Sequence, residues 1–224
     1  MDKRQSELQN IAAVNLKRGQ IYQTFINIFI CLPDEKFWSY IYSDELREFL
    51  AQHKRLQYPL ITKGVSHVSN YLIANSSGDH MKQIEILAVD RTKLIRVPGR
   101  EGFKPPYESQ YQQGGSKSTA SLLRLANAYR NAGFVPALAK ESPDFFCVEL
   151  DFMRVLSNRI ASQPTEAHFI LSMQKTFLEE HLGNWICSYA EKAACHADTD
   201  FYRGWLMILQ GFIIIEKNYL QNIC

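Results

Sequence analysis

No stretch of this 224-residue sequence is apolar for long enough to span a membrane. The longest runs, Phe25 to Leu32 and Trp205 to Ile215, are broken by Asn27 and Gln210. Both fall short of the roughly 20 residues that a spanning helix needs. Paired cysteines are missing as well. Cys31, Cys147, Cys187, Cys195 and Cys224 are odd in number and irregular in spacing, and they read as reduced thiols rather than a disulfide framework. The six histidines form no H-x-x-x-H or H-E-x-x-H, and Cys187 with Cys195-His196 matches no common ligand spacing, so no metal site is expected. A net charge of +2 gives no reason to expect nucleic acid, and Lys93, Arg96, Arg100 and Lys104 read as a solvated face. The N-terminus has no charged n-region followed by an apolar h-region, so the expected location is the cytoplasm. No run of alternating apolar and polar residues bounded by turns predicts a sheet. Catalytic motifs are absent too. Ser109 lacks the glycines of a nucleophile elbow. Gly114–Thr119 lacks the first glycine of a phosphate loop and at most feeds an anion to a helix start. No catalytic motif is therefore found in the sequence.

What is present is a large apolar fraction, 46%, arranged with helical period. Residues 5–32 read as one long helix stopped by Pro33. Asp34 and Ser43 are placed to cap two short helices, and another helix is expected from about Asp79 to Ile95. Val65, Val68, Tyr71 and Leu72 mark a further helix before Asn75-Ser76-Ser77-Gly78. Ser118 or Thr119 opens a helix that Gly133 and Pro136 end. Pro164 starts one that carries Ile170, Met173, Phe177, His181 and Trp185, with a break at Gly183-Asn184. His181, between Phe177 and Trp185, reads as a satisfied core histidine. Asp198 is the expected cap of the last helix. The fold class is all-α, with roughly nine to eleven helices in one bundle-like domain spanning 1–224. Pro98, Gly99, Gly102, Pro105, Pro106, Gly114 and Gly115 make 97–117 the one long breaker-rich segment, dividing the chain into halves 1–96 and 118–224.

Residues 141–153, Glu-Ser-Pro-Asp-Phe-Phe-Cys-Val-Glu-Leu-Asp-Phe-Met, hold four acids and no base. Pro143 fixes the angle of entry, and Asp144 is the expected N-cap of the helix that follows. On that helix Glu149 falls within the apolar arc, while Asp151 and Arg154 fall outside it. A carboxyl on the core side needs a partner or a raised pKa. The stretch thus joins an apolar wall to an acidic mouth. Tyr107 and Tyr111, in Pro105-Pro106-Tyr107-Glu108-Ser109-Gln110-Tyr111, can face it with amphipathic rings.

Pro-Pro-Tyr-Glu-Ser-x-Tyr at 105–111, paired with Glu-x-Pro-Asp…Glu-Leu-x-Phe-Met at 141–153, resembles the TorD/DmsD/NarJ family of cytoplasmic chaperones for molybdoenzyme maturation. Weaker likenesses are Arg18, Tyr22 and Phe25, Asp90-Arg91-Thr92-Lys93-Leu94, His181-Leu182-x-x-Trp185 and Phe201-Tyr202. Many members carry His directly after the Asp of the turn, where this chain has Phe145. The resemblance implies an all-helical, non-catalytic protein without a cofactor of its own. Its partners would be the N-terminal leader, commonly a twin-arginine export signal, and the apo-form of a molybdenum oxidoreductase catalytic subunit. It implies either a monomer or a homodimer that exchanges halves about 97–117. On this reading Glu108, Glu141 and Asp144 recognise charge or order the turn. Tyr107, Tyr111, Pro143 and Phe145 shape the site, Ser109 holds the loop, and Glu149 is a buried structural acid tying loop to helix. Two rival readings are an assembly factor of the same fold for a non-exported subunit, and a helical small-molecule or nucleotide-binding protein using the Gly114–Thr119 helix start.

Overall fold

Cap residues and helical periodicity recur along the chain, and the computed structural model, which describes residues 3–97, 104–111, 119–138 and 140–223, realises them as eleven α-helices. They are α1 (Lys3–Ile30), α2 (Glu35–Ile41), α3 (Asp44–Lys54), α4 (Pro59–Asn75), α5 (His80–Ile95) and α6 (Glu108–Tyr111). Then follow α7 (Thr119–Asn131), α8 (Phe146–Ser162), a 3-10 turn (Pro164–Glu166), α9 (Ala167–Glu180), α10 (Leu182–His196) and α11 (Asp200–Ile223). The described residues contain no strand, only an isolated antiparallel bridge between Tyr107 and Phe145. The class is all-α, and no described helix is long and apolar enough to cross a membrane. Most of the 97–117 segment, and the Gly114–Ser118 part of the expected anion site, lie outside the described residues.

The expected caps form where the acceptor sits one residue ahead of a helix: Asp34 accepts from Phe37 N at 2.8 Å and Ser43 from Leu46 N at 3.2 Å. Asp79, expected only near the start of α5, caps it in the same way, accepting from Lys82 N at 3.2 Å. Gly133, at φ 66, closes α7 with Gly133 N donating to Arg130 O (3.0 Å) and Phe134 N to Tyr129 O (2.9 Å). Two boundaries differ from expectation. Asp198 does not cap α11. Thr199 does, its hydroxyl accepting from Tyr202 N at 3.3 Å. The break before α10 falls at His181 (φ −126, ψ −106), not at Gly183-Asn184.

The contacts group the chain into two compact units, each drawing residues from both sides of 97–117. The first comprises residues 1–28, 107–185 and 216–224. Its centre is α8, whose Phe146, Cys147, Val148, Leu150, Phe152, Met153, Leu156 and Ile160 are all buried. Phe152 lies 4.4 Å from Phe177 and 5.1 Å from Tyr129 between ring centroids. Asp151, expected outside the apolar arc, is buried too, because Arg154 donates to it at 2.7 Å and so replaces water. In the same unit Arg18 of α1 donates to Glu216 of α11 through Nε at 2.8 Å and through a terminal nitrogen at 2.6 Å. Asn15 and Gln174 both accept from its other terminal nitrogen, and Tyr22 donates its hydroxyl to Glu216 at 2.7 Å. An ion pair this well satisfied survives burial.

The second unit comprises 29–106 and 186–215. Gly64 of α4 meets Gly204 of α11 so closely that a Cβ on Gly64 would lie 2.6 Å from Gly204 O. Asp90 and Arg91 of α5 serve two other helices. The Asp90 carboxylate accepts from Asp198 N (3.0 Å), Thr199 N (2.8 Å) and Thr199 Oγ1 (2.6 Å). Arg91 donates to Phe29 O at 2.8 and 2.6 Å and to Ile30 O at 2.7 Å. Negative charge thus meets the start of α11 and positive charge the end of α1, each with the favourable sign for the helix dipole.

Candidate functional site

Residues 107–111 and 141–149 do meet, within the first unit. Pro106 is buried, and the chain then turns so that Glu108 N donates to Asp144 O at 2.9 Å. The Asp144 carboxylate accepts from Ser109 N at 3.3 Å and from the Ser142 hydroxyl. Tyr107 packs on Phe145 at 5.4 Å, and Tyr129 donates its hydroxyl to Pro143 O at 2.9 Å. Asp144 is therefore not the N-cap of α8. Phe145 holds that position without a side-chain cap bond, its carbonyl accepting from Val148 N (2.8 Å) and Glu149 N (3.2 Å). Asp144 instead serves the start of α6, whose first two amides would otherwise lack acceptors. An Asp after Pro signals a cap, but the sequence does not say of which helix.

Below this clasp lies a buried polar cluster. His181 Nδ1 is 3.1 and 3.2 Å from the two Glu108 oxygens. Since a carboxylate only accepts, the imidazole carries its proton on Nδ1. His181 is thus a satisfied core histidine, as its neighbours suggested. Trp185 Nε1 donates to Glu149 Oε2 at 3.3 Å, and Tyr111 stacks on Trp185 at 5.4 Å. Glu149 ties α8 to the loop through this indole rather than directly. Burial, then the nearby Glu108 charge, push the Glu149 carboxyl well above the usual carboxylate range. The Trp185 hydrogen bond opposes the shift and Asp144 adds to it. Two buried atoms here, Glu149 Oε1 and Ser109 Oγ, make no hydrogen bond among the described residues.

Each residue read from the sequence can now be placed. Glu108, Ser109, Asp144, Phe145 and Glu149 are buried. Tyr107, Tyr111 and Glu141 are half-buried, and Pro143 is exposed. Glu108 and Asp144 thus bond within the molecule. The sequence reading missed a cleft of about 370 Å³ between α7, α8 and α9, walled by Phe152, Phe169, Met173 and Phe177, with Glu180 and His181 at one side. Phe169 is 62% exposed. It lies off the buried stripe of α9, and that mismatch was the available signal. The described residues contain no group of His, Cys, Asp or Glu able to hold a metal.

A family model described as nitrate reductase delta subunit matches residues 61–191, a span that includes both halves of this clasp. The chain belongs to that family, the TorD/DmsD/NarJ chaperones. Among its relatives is the chaperone protein TorD of Vibrio parahaemolyticus, 27% identical over 220 residues, or 95% of this chain and 99% of the relative. The chaperone protein TorD of Vibrio vulnificus is 26% identical over 221 residues, 95% of this chain and 99% of the relative. That of Vibrio cholerae is 24% identical over 222 residues, covering 96% and 97%. No solved structure matches significantly. As a TorD-family member the chain is a molybdoenzyme maturation chaperone and not an enzyme. The Asp90-Arg91 pair and the Glu108–His181 contact are both buried polar ties between segments far apart in sequence.

Proposed function

We propose that this TorD-family chaperone works in the cytoplasm, binds the N-terminal leader of a molybdenum oxidoreductase catalytic subunit, and holds the apo-form until the cofactor is inserted and export can begin. The observation that carries this reading is the clasp of 107–111 onto the start of α8 beside an aromatic-walled cleft. Tyr107, Tyr111, Glu141 and Pro143 present the outer surface, while Glu108, Ser109, Asp144 and Phe145 fix its shape from within. A twin-arginine leader offers two cations followed by an apolar segment. The cleft suits the apolar segment; Glu180 on its wall, opposed there by Arg124, and Glu141 outside it supply negative charge. Each exposed ion pair contributes roughly 0–1 kcal/mol, so apolar burial dominates the affinity. Segment 97–117 is the hinge in this reading should the halves 1–96 and 118–224 exchange between two chains.

A second reading, a client that is not exported, draws on a specific observation. Glu108 and Asp144 are buried and internally bonded, and Phe145 fills the place where many relatives of this type carry His. Few open carboxylates are then left for paired arginines. Titration calorimetry separates the two. Leaders of the candidate clients are titrated into the chaperone, each with its paired arginines intact and with both replaced by Ala. The leader reading expects one leader to bind and to lose at least about tenfold (about 1.4 kcal/mol) on replacement. Unchanged affinity would establish the second reading, and no binding by any leader would end the first.

A further inference from the structure

The second unit contains a groove that the leader reading does not use. It lies between α3 and α4, which pack on one another, and measures about 500 Å³. The α3 side is Arg47, Leu50, Ala51 and Lys54, and the α4 side is Ser69, Leu72, Ile73 and Ser76. Each set has the spacing i, i+3, i+4, i+7, so each helix presents one continuous face to the groove. These faces lie beside the core faces and share only Leu50 with them among the residues named. Leu46 and Leu50 anchor α3, and Ile61, Val65 and Val68 anchor α4. Ile73, on the groove wall, is 74% exposed. The floor is apolar, from Ile41, Leu50 and Leu72, and hydroxyl groups occupy the flanks.

The charged side chains that line the groove are cations. Arg47 and Lys54 stand one over the other on α3, and among the described residues no carboxylate lines the groove itself. Arg47 is bonded to Asp44 at 2.7 Å, but both side chains are largely exposed, at 73% and 95%. Such a pair is weak and yields readily to a better partner. Lys54 makes no ion pair among the described residues. An apolar trough with a cationic rim complements an amphipathic helix whose apolar face is flanked by carboxylates. The same rim repels the two cations of a twin-arginine leader.

We propose that the α3/α4 groove docks an acidic amphipathic helix of the client protein, at a site separate from the leader surface. The chaperone then grips its client twice, and linkage of two contacts raises the overall affinity beyond either alone. The docking site stands on its own geometry and does not depend on the leader being bound.

The test uses the full chain and fluorescence anisotropy. The probe is a labelled, designed helical peptide with Leu at i, i+3, i+4 and i+7 and Glu on both flanks. Its control has every Glu replaced by Lys. The expected result is saturable binding of the Glu peptide, at least tenfold tighter than the Lys peptide. Arg47→Glu/Lys54→Glu, at exposed positions, should abolish that preference, and Ile73→Asp should weaken both peptides. Circular dichroism melts confirm that each variant is folded. Binding of neither peptide, equal binding of both, or an unchanged preference in Arg47→Glu/Lys54→Glu would overturn the proposal.

Discussion

Burial sets the Glu149 carboxyl among Glu108 and Asp144, with Trp185 as a hydrogen-bond donor to Oε2. Its folded-state pKa therefore lies well above the value in the unfolded chain, chiefly through desolvation. The folded protein binds the extra proton, so this group's stabilising contribution is complete below the ordinary carboxylate range. It declines as pH rises toward the folded-state pKa, by up to about 1.4 kcal/mol per pH unit, and is flat beyond it. Glu149→Gln keeps the shape and removes the titration. Its melting temperature should exceed that of the parent at pH 8 and match it more closely at pH 5. A parent and variant with parallel pH profiles would show that Glu149 is ionised in the fold. At this scale the sequence told which residues were unusual but not whom they faced. Glu149 was legible because its helical phase put a carboxyl in an apolar arc. Asp144 was misread because its acceptor atoms serve Ser109, 35 residues away, and no local pattern encodes that. Phe145, fully buried against Tyr107 and Phe146, now reads as a packing residue.

Most helices were legible because periodicity and caps are local. Asp34, Ser43 and Asp79 each sit next to the turn that they satisfy. The two element-scale features that were not legible act across long separations. Asp90 reaches the start of α11, about 108 residues on, and Arg91 reaches the end of α1, about 62 residues back. Asp90→Ala strips three hydrogen bonds from the start of α11 and should cost about 2–3 kcal/mol, read as a lower midpoint in urea unfolding. A midpoint within error of the parent would mean that water replaces the carboxylate. The Gly64–Gly204 approach is equally specific. A Cβ on Gly204 would lie 2.5 Å from Gly64 O, which is backbone and cannot step aside. Gly204→Ala should therefore destabilise by roughly 1–3 kcal/mol. A neutral outcome in the same unfolding experiment would show that α4 and α11 can move apart freely.

The chain as a whole is an all-α protein whose ends meet in one unit, through Arg18 and Glu216, 198 residues apart. The helical class follows from the missing strand pattern and the spaced apolar stripes, and the family follows from two short motifs that fold into one clasp. The α3/α4 groove was not visible in sequence, and the cleft beside α9 only through Phe169, because a surface depends on which helix faces stay uncovered. The maturation role turns on the state of the client, so the most direct measurement is native mass spectrometry of the full chain with its catalytic subunit. The subunit is supplied both as the apo-form and loaded with its molybdenum cofactor, in each case with the leader attached. The account predicts a complex with the apo-form that is lost, or weakened at least about tenfold (about 1.4 kcal/mol), once the cofactor is in place. Equal binding of the two forms, or no complex with either, would contradict it.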